Sequence, residues 1–436
     1  MKCQSAAVVV LLLPLFLLSA FAADWPQWRG PKQDNVSTEK GLLQEWPKDG
    51  PKLLWTFRNA GEGYSCPAIV GDRLYLSGAR GDAEYIFALD LKQAQGGALK
   101  ELWAAKIGPK FAGTAWNAGP IATPAVDGGM VYALGGAGDL VGVTTDGKEV
   151  WRKSLQKDLE GEVNPIDGGI GSKEGEPKLG WGYAGSPFVD GEQLIVAPGG
   201  LKGTLAALDK KTGNVIWRSK ELTDQASYSS PLVATIGGVR QYIILTNQGV
   251  AGIAAKDGAL LWKYTRKPAY SSVVIPTPLV HDNLVFVSVG HGGASAGCDL
   301  IKIEGNKAEK VYGNRNLLNQ QGGYVLVGGN VYGHSDRKGW TCLDLKTGKD
   351  LWSERSSLGA AVTCADGNLY CLSEEGEAVL AEATPAGWKE KGRFKLPQES
   401  KLRKPRGRVW TPPVIADGKL FLRDQDLLFC YDIKVK

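Results

Sequence analysis

Aromatic side chains recur a few residues ahead of small-residue–proline pairs. Tyr64 precedes Cys66-Pro67, Trp116-Asn117 precedes Thr123-Pro124, Trp181 and Tyr183 precede Ser186-Pro187, Tyr228 precedes Ser230-Pro231, and Trp410 precedes Pro412. Tyr270 and Tyr324 hold looser versions of the same place. Gathered together, such rings offer broad, rigid contact area with polar tips, which suits a peptide, a glycan or a flat cofactor. The same rings could instead fill gaps between packed sheets. His291 and His334 share a local context (Val289-Gly290-His291 and Tyr332-Gly333-His334), with Asp299, Asp336 and Arg337 close in sequence. Two imidazoles and a carboxylate could hold a metal or act as an acid–base pair. The plainer reading is two exposed loop histidines. His281 falls in a hairpin turn and reads as solvated. Gly293-Ala294-Ser295-Ala296-Gly297 matches a nucleophile elbow by letter, but that motif needs a strand-to-helix turn and no helix pattern follows. No Walker-type phosphate loop and no complete dinucleotide fingerprint is present.

The elements that must position these residues repeat about every 45 residues, each unit closing on tryptophan. The fullest copies are Ala207-Leu208-Asp209-Lys210-Lys211-Thr212-Gly213-Asn214 ending at Trp217, and Cys342-Leu343-Asp344-Leu345-Lys346-Thr347-Gly348-Lys349 ending at Trp352. Trp55, Trp103, Trp151 and Trp262 mark the others, and Val311-Tyr312 stands in one vacant place. Within a unit, a proline-opened strand leads through an Asp-Gly type turn into an alternating strand, then into two more. This predicts an all-β fold, an eight-bladed β-propeller of four-stranded antiparallel blades. The blades fall at about 67–107, 122–155, 185–222, 229–266, 276–317, 322–356, 361–396 and 410–434. Seven blades would follow if the weak 361–396 unit packs differently. The last unit lacks a fourth strand, and residues 51–57 carry a tryptophan without strands before them. Pairing the two would close the ring and remove its open edge. In such a ring the aromatic entry loops and the loops bearing His291 and His334 share one face, around the channel mouth.

The 43% hydrophobic and 22% charged content is that of a globular protein, and a net charge of +5 argues against a nucleic-acid partner. Residues 1–23 read as a signal peptide, with Lys2, an apolar run from Ala6 to Leu18 and a cleavage site at Ala20-Phe21-Ala22-Ala23. That run is too short to span a membrane, so the expectation is a periplasmic or secreted protein without a transmembrane segment. Six cysteines remain beyond it, scattered over the units. Cys364 and Cys371 flank one turn, but the two-residue register sets Cys364 opposite Leu369, so buried thiols are expected over a disulfide. The connector from Lys389 to Arg408 is basic, which could attract an anionic surface or simply be solvated. An insertion at 152–184 interrupts the repeat as a candidate lid or partner arm.

The Ala-x-Asp-x-x-Thr-Gly-x-x-x-Trp phrase at 207–217 resembles the tryptophan-docking repeat of the PQQ-like (quinoprotein alcohol dehydrogenase-like) propeller family. The resemblance covers roughly residues 50–434. The segment Asp24-Trp25-Pro26-Gln27-Trp28-Arg29-Gly30-Pro31 looks like the entry segment of secreted bacterial members, giving a division into 1–23, 24–49 and 50–436. Quinoprotein members imply pyrroloquinoline quinone (PQQ), calcium, a catalytic aspartate and an adjacent-cysteine disulfide. No two cysteines here are adjacent, and no calcium set can be placed on matching positions. The chain looks closer to BamB-type propellers, which are lipid-anchored, whereas no acceptor cysteine sits at the predicted cleavage site. The expectation is therefore a monomeric, non-catalytic binding or scaffold module of the cell envelope, with no cofactor and no metal. Its partner would be a protein or polysaccharide, met by Tyr64, Trp116, Asn117, Trp181, Tyr183, Tyr228, His291, His334 and Trp410. The alternative is a PQQ- or metal-dependent oxidoreductase acting on alcohols or polymers.

Overall fold

The computed structural model describes residues 24–92, 99–165, 179–336, 338–355 and 359–436. The predicted signal peptide, the middle of the insertion and Arg337 lie outside them. Eight sheets follow one another around a ring: 68–109, 125–154, 188–218, 232–265, 279–314, 324–354, 360–395 and 414–432. We number them blades 1 to 8. The unit near 361–396 is a full blade, so the count is eight.

Ring closure follows the predicted pairing. Lys52–Phe57 lies antiparallel to Leu427–Asp432 as the outer strand of blade 8, with Lys52 opposite Asp432 and Trp55 opposite Cys430. The two ends of the repeat series therefore share one sheet, and no strand edge is left open at the junction. Cys364 pairs with Leu369, and all six cysteines of the described residues are unpaired and buried.

The apolar core is divided among the interfaces between blades. One cluster joins Tyr75 and Ile86 of blade 1 to Val131 and Val143 of blade 2, and another joins Phe286 and Leu300 to Val331 and Leu343 across blades 5 and 6. The outer-strand aromatics stitch these layers. Register slips between Glu149 and Trp151, and the same slip precedes Trp55, Trp103, Trp217, Trp262, Tyr312 and Trp352. Such a bulge re-aims the next side chain, here toward the neighbouring blade. A small residue stands opposite the indole within the sheet: Ala88, Gly142, Ala207, Gly252 or Cys342.

On its other side the ring lies over a turn glycine of the next blade. A Cβ at Gly147 would come within 2.6 Å of Trp103, and one at Gly213 within 2.7 Å of Trp151. Gly258 meets Trp217 in the same way, and Gly348 meets Tyr312. The indole N–H then donates to a carbonyl of that turn, from Trp103 to Thr145 at 2.9 Å and from Trp151 to Lys210 at 3.0 Å. Tyr312 performs the same task through its hydroxyl, donating to the Leu345 carbonyl at 2.8 Å.

The Asp-x-x-Thr-Gly phrase builds that turn. Asp209 Oδ1 accepts from the backbone N–H of Lys211 and Thr212 and from the Thr212 hydroxyl, which leaves Gly213 at φ +71°. Asp344 and Thr347 repeat the arrangement before Gly348.

Gly213→Ala combines a left-handed backbone with displacement of an indole. Gly305, at φ +61°, faces open space. Gly305→Ala should cost about 1 kcal/mol from backbone strain, and Gly213→Ala roughly 1–3 kcal/mol more. Chemical denaturation of the two variants checks the difference. Equal losses would mean the ring-on-glycine contact contributes nothing.

Candidate functional site: a plugged bowl on the loop face

Residues ahead of the first blade occupy the channel. Trp25 exchanges backbone hydrogen bonds with Ile69 of blade 1 at 2.8 Å each way, and the Pro26 carbonyl accepts from Val126 of blade 2. Trp28 Nε1 donates to Thr277 Oγ1 at 3.1 Å. Arg29 donates to the carbonyls of Thr277, Tyr324 and Asp34. Gln33 accepts from the Val233 N–H, and Asn35 donates to the Val362 carbonyl at 2.6 Å. Val36–Ser37 then adds a parallel fifth strand to blade 7. Arg29, Gly30, Gln33 and Asn35 all have positive φ, which coils this segment tightly enough to fit the channel.

Above this plug lies a cavity of about 600 Å³. Trp28, Arg29 and Asn35 form its floor. Its walls come from entry loops and from loops after second strands, which together form one face of the ring. Seven of the nine residues singled out in the sequence line it: Tyr64, Trp116, Asn117, Trp181, Tyr228, His291 and Trp410. The rings form two groups. Tyr64 and Trp116 flank Trp410, with ring centroids 5.3 and 6.4 Å away, and Tyr228 and His291 flank Trp181 at 5.5 and 6.2 Å.

Within each group the tyrosine is buried and supports a half-buried tryptophan. The Tyr64 hydroxyl donates to the Trp116 carbonyl at 3.1 Å. The Tyr228 hydroxyl accepts from the Trp181 N–H and donates to the Asn164 carbonyl. Asn117 donates to the Trp181 carbonyl at 3.2 Å, tying the two groups together. The described flanks of the 152–184 insertion thus join the wall, with Asn164 and Trp181 both held by Tyr228.

Two expected contacts lie elsewhere. Tyr183 is buried with its hydroxyl on the Pro198 carbonyl, because Gly138 leaves room for its ring between blades. His334 is buried edge-on against Trp340, in a strand whose residues 331–335 are all buried between neighbouring blades. Among the described residues no group of three or more His, Cys, Asp or Glu is placed so that it could hold a metal ion. Asp299 is engaged by the Tyr270 hydroxyl at 2.6 Å and by Arg266 at 2.9 Å. Gly293–Ser295 is a single 3₁₀ turn leading into a strand, so the elbow-like letters carry no elbow.

Sequence reading missed Arg29 and Asn35 on the floor and Gln320, Gln321 and Glu374 on the walls, and it named Arg406 and Arg408 as part of the basic connector without bringing them to this face. Glu374 accepts from Trp410 Nε1 at 2.6 Å and from the Gln321 amide, while burial raises its pKa. Arg406 stands 5.4 Å over the Trp116 ring. Much of the basic connector is paired, Arg393 with Glu377 and Glu390, and Arg403 with Asp424. Burial holds the His291 imidazole below its ordinary pKa, with Asp336 pulling the other way.

Against this geometry, a family model described as "Outer membrane protein assembly factor BamB" matches residues 91–354. The chain belongs to this family. A BamB of Burkholderia pseudomallei (strain K96243) is 31% identical over 196 residues, which is 38% of this chain and 45% of that protein. The match thus spans less than half the length of that relative. Among solved structures, BamB from Moraxella catarrhalis superposes with a TM-score of 0.56 at 13% identity, covering 88% of this chain and 98% of the other. Quinohemoprotein alcohol dehydrogenase from Comamonas testosteroni gives 0.60 at 12%, covering 95% and 81%. At that identity the structural likenesses speak for the fold alone, which this BamB-family chain shares with binding proteins and enzymes alike.

One buried acid anchors the Trp116 loop of this BamB-family propeller. Glu84 is fully buried and accepts from the N–H of Phe111 at 3.1 Å and of Gly136 at 2.9 Å. Burial pushes its carboxyl up to about 7, assisted by Asp139 and opposed by these two hydrogen bonds and Lys110. The native state therefore holds this proton more tightly than the unfolded chain. Stability from this group is full below about 4.5, falls as pH rises, and levels off above about 7, a span worth ~3 kcal/mol. Glu84→Gln should flatten that part of the profile, as read by denaturant unfolding at pH 5 and pH 8. An unchanged slope would remove Glu84 from the account.

Proposed function

We propose that this chain is a non-catalytic binding scaffold of the bacterial cell envelope, which recognises a protein partner with the bowl on its loop face. The observation that carries this reading is the bowl itself, a pre-formed concave surface in which supported tryptophans face open space. Membership of a family described by outer membrane protein assembly supports a protein as the partner. The predicted signal segment supports a periplasmic or secreted location, and the described residues contain no helix long and apolar enough to cross a membrane. We take the working form to be a monomer.

The cavity lining argues against the oxidoreductase alternative. A calcium ion with a quinone needs several oxygen donors around one point. Among the described residues the lining contributes one carboxylate, Glu374, whose Oε1 already accepts from both Trp410 and Gln321, while Arg29 stands at the floor. Cys66 and Cys298 are buried, with thiols pushed up to about 12 and about 11 by burial, and neither has a cysteine beside it. We propose no cofactor.

The Trp116→Ala, Trp181→Ala double variant should lose at least about tenfold in partner affinity while its melting temperature stays within a few degrees. Cross-linking in cell envelopes, with the captured partner then titrated against both proteins, provides the measurement. Undiminished affinity would overturn the proposed face. Dye-coupled alcohol oxidation after addition of PQQ and calcium would overturn the scaffold reading itself.

A further inference from the structure

The bowl is positively charged at two levels. Arg29 is 3% exposed, yet it contacts only carbonyls, and its buried Nε has no hydrogen-bond partner among the described residues. Arg406 and Arg408 are exposed at the wall, and neither forms an ion pair with a carboxylate among the described residues. Other cations of the same connector are paired, Arg403 to Asp424 and Lys404 to Glu62. Among the described residues the single opposing charge in the lining is Glu374. Asp34 offsets part of the buried Arg29 charge from a distance, but its carboxylate is engaged by the Val36 N–H. No carboxylate among the described residues hydrogen-bonds the guanidinium, so an incoming anion would offset a remaining electrostatic cost. Guanidinium forks match carboxylates in shape as well as charge.

Building on the protein-binding reading above, we propose that the bowl selects an acidic peptide segment. Carboxylate side chains would be drawn toward Arg29, Arg406 and Arg408, with a neighbouring apolar or aromatic side chain against Trp116 and Trp181. The family description, which concerns proteins, decides for a peptide over an acidic saccharide of similar size.

The test is binding to the purified full chain, followed by calorimetry, of four probes. These are an acetylated, amidated peptide of alternating glutamate and phenylalanine, its glutamine counterpart, its lysine counterpart, and trigalacturonate. The acidic peptide should bind about tenfold or more tightly than the glutamine peptide in about 50 mM salt, and the gap should shrink in about 500 mM salt. Arg406→Gln with Arg408→Gln should weaken the acidic peptide about tenfold and the glutamine peptide by several times less. Glu374→Gln should tighten the acidic peptide severalfold, because it removes the opposing charge. Arg29 also anchors the plug, so the variants at 406, 408 and 374 carry the decision.

Equal affinity for the acidic and glutamine peptides, or preference for trigalacturonate over the acidic peptide, overturns the inference. If both peptides bind equally and both need Trp116 and Trp181, the charge selection fails while the scaffold reading stands. If the cross-linked partner is held undiminished without the two tryptophans, the scaffold reading fails whatever the arginines do.

Discussion

The ring depends on a flat side chain lying against a backbone that has no Cβ. An outer-strand indole lies flat on the turn of the next blade where a glycine occupies it, as at Gly147, Gly213 and Gly258, whereas Trp352 bonds the Thr384 carbonyl beside Trp388 with no glycine of the described residues beneath it. At Trp103 and Trp151 the contact combines apolar burial with one directional bond, from the indole N–H to the turn carbonyl, whereas Trp217 makes the apolar contact alone among the described residues. Repeated from sheet to sheet, it sets both spacing and orientation, and the layers of core between blades fill around it. Where the indole is absent, Tyr312 reproduces the contact with a phenol over Gly348. Trp262 takes another course, with its N–H on Gln241 of its own blade at 2.6 Å. The stitching is therefore repeated but not uniform.

This arrangement leaves a hole at the centre that the blades do not fill. Residues 25–37 fill it with polar side chains whose partners are the carbonyls and N–H groups at the starts of the inner strands. Those groups would otherwise face the channel unpaired, a costly condition for backbone polar atoms. The plug thus completes the hydrogen bonding of the strand starts and supplies the floor of the bowl. The walls rest on buried supports of the same kind, with tyrosine hydroxyls, Asn117 and Glu84 all holding loop backbone. The tryptophans are left to face the cavity.

The fold was legible because its signals are periodic. Tryptophan spacing, Asp-Gly turns and the Asp-x-x-Thr-Gly phrase each recur, and residues 51–57 have a tryptophan with no blade of their own. The bulge before each docking aromatic was not legible, since Val150 or Ile216 looks like any strand residue. The site was legible in part. Entry-loop aromatics could be placed by their distance to a proline, but Tyr183 follows the same rule and points between blades. His334 looked like His291 by context, yet His334 lies within a strand while His291 lies in the loop beyond the end of one. Arg29 and Asn35 could not be found this way, because nothing local states that a segment before the repeats will cross the channel. Glu374 carries no motif, and Arg406 was one cation in a run whose pairing depends on blades distant in sequence.

The plug ties residues near position 30 to partners some 200 to 330 positions later, among them Val233, Thr277, Tyr324 and Val362. Links of such long sequence separation are costly in loop entropy and form after local hairpins. The floor of the bowl is thus complete only when blades 4 to 7 are all in place around it. A ligand that feels Arg29 binds the finished circle alone, and by mass action it holds that circle shut. Occupancy of this receptor and integrity of its architecture are then one equilibrium.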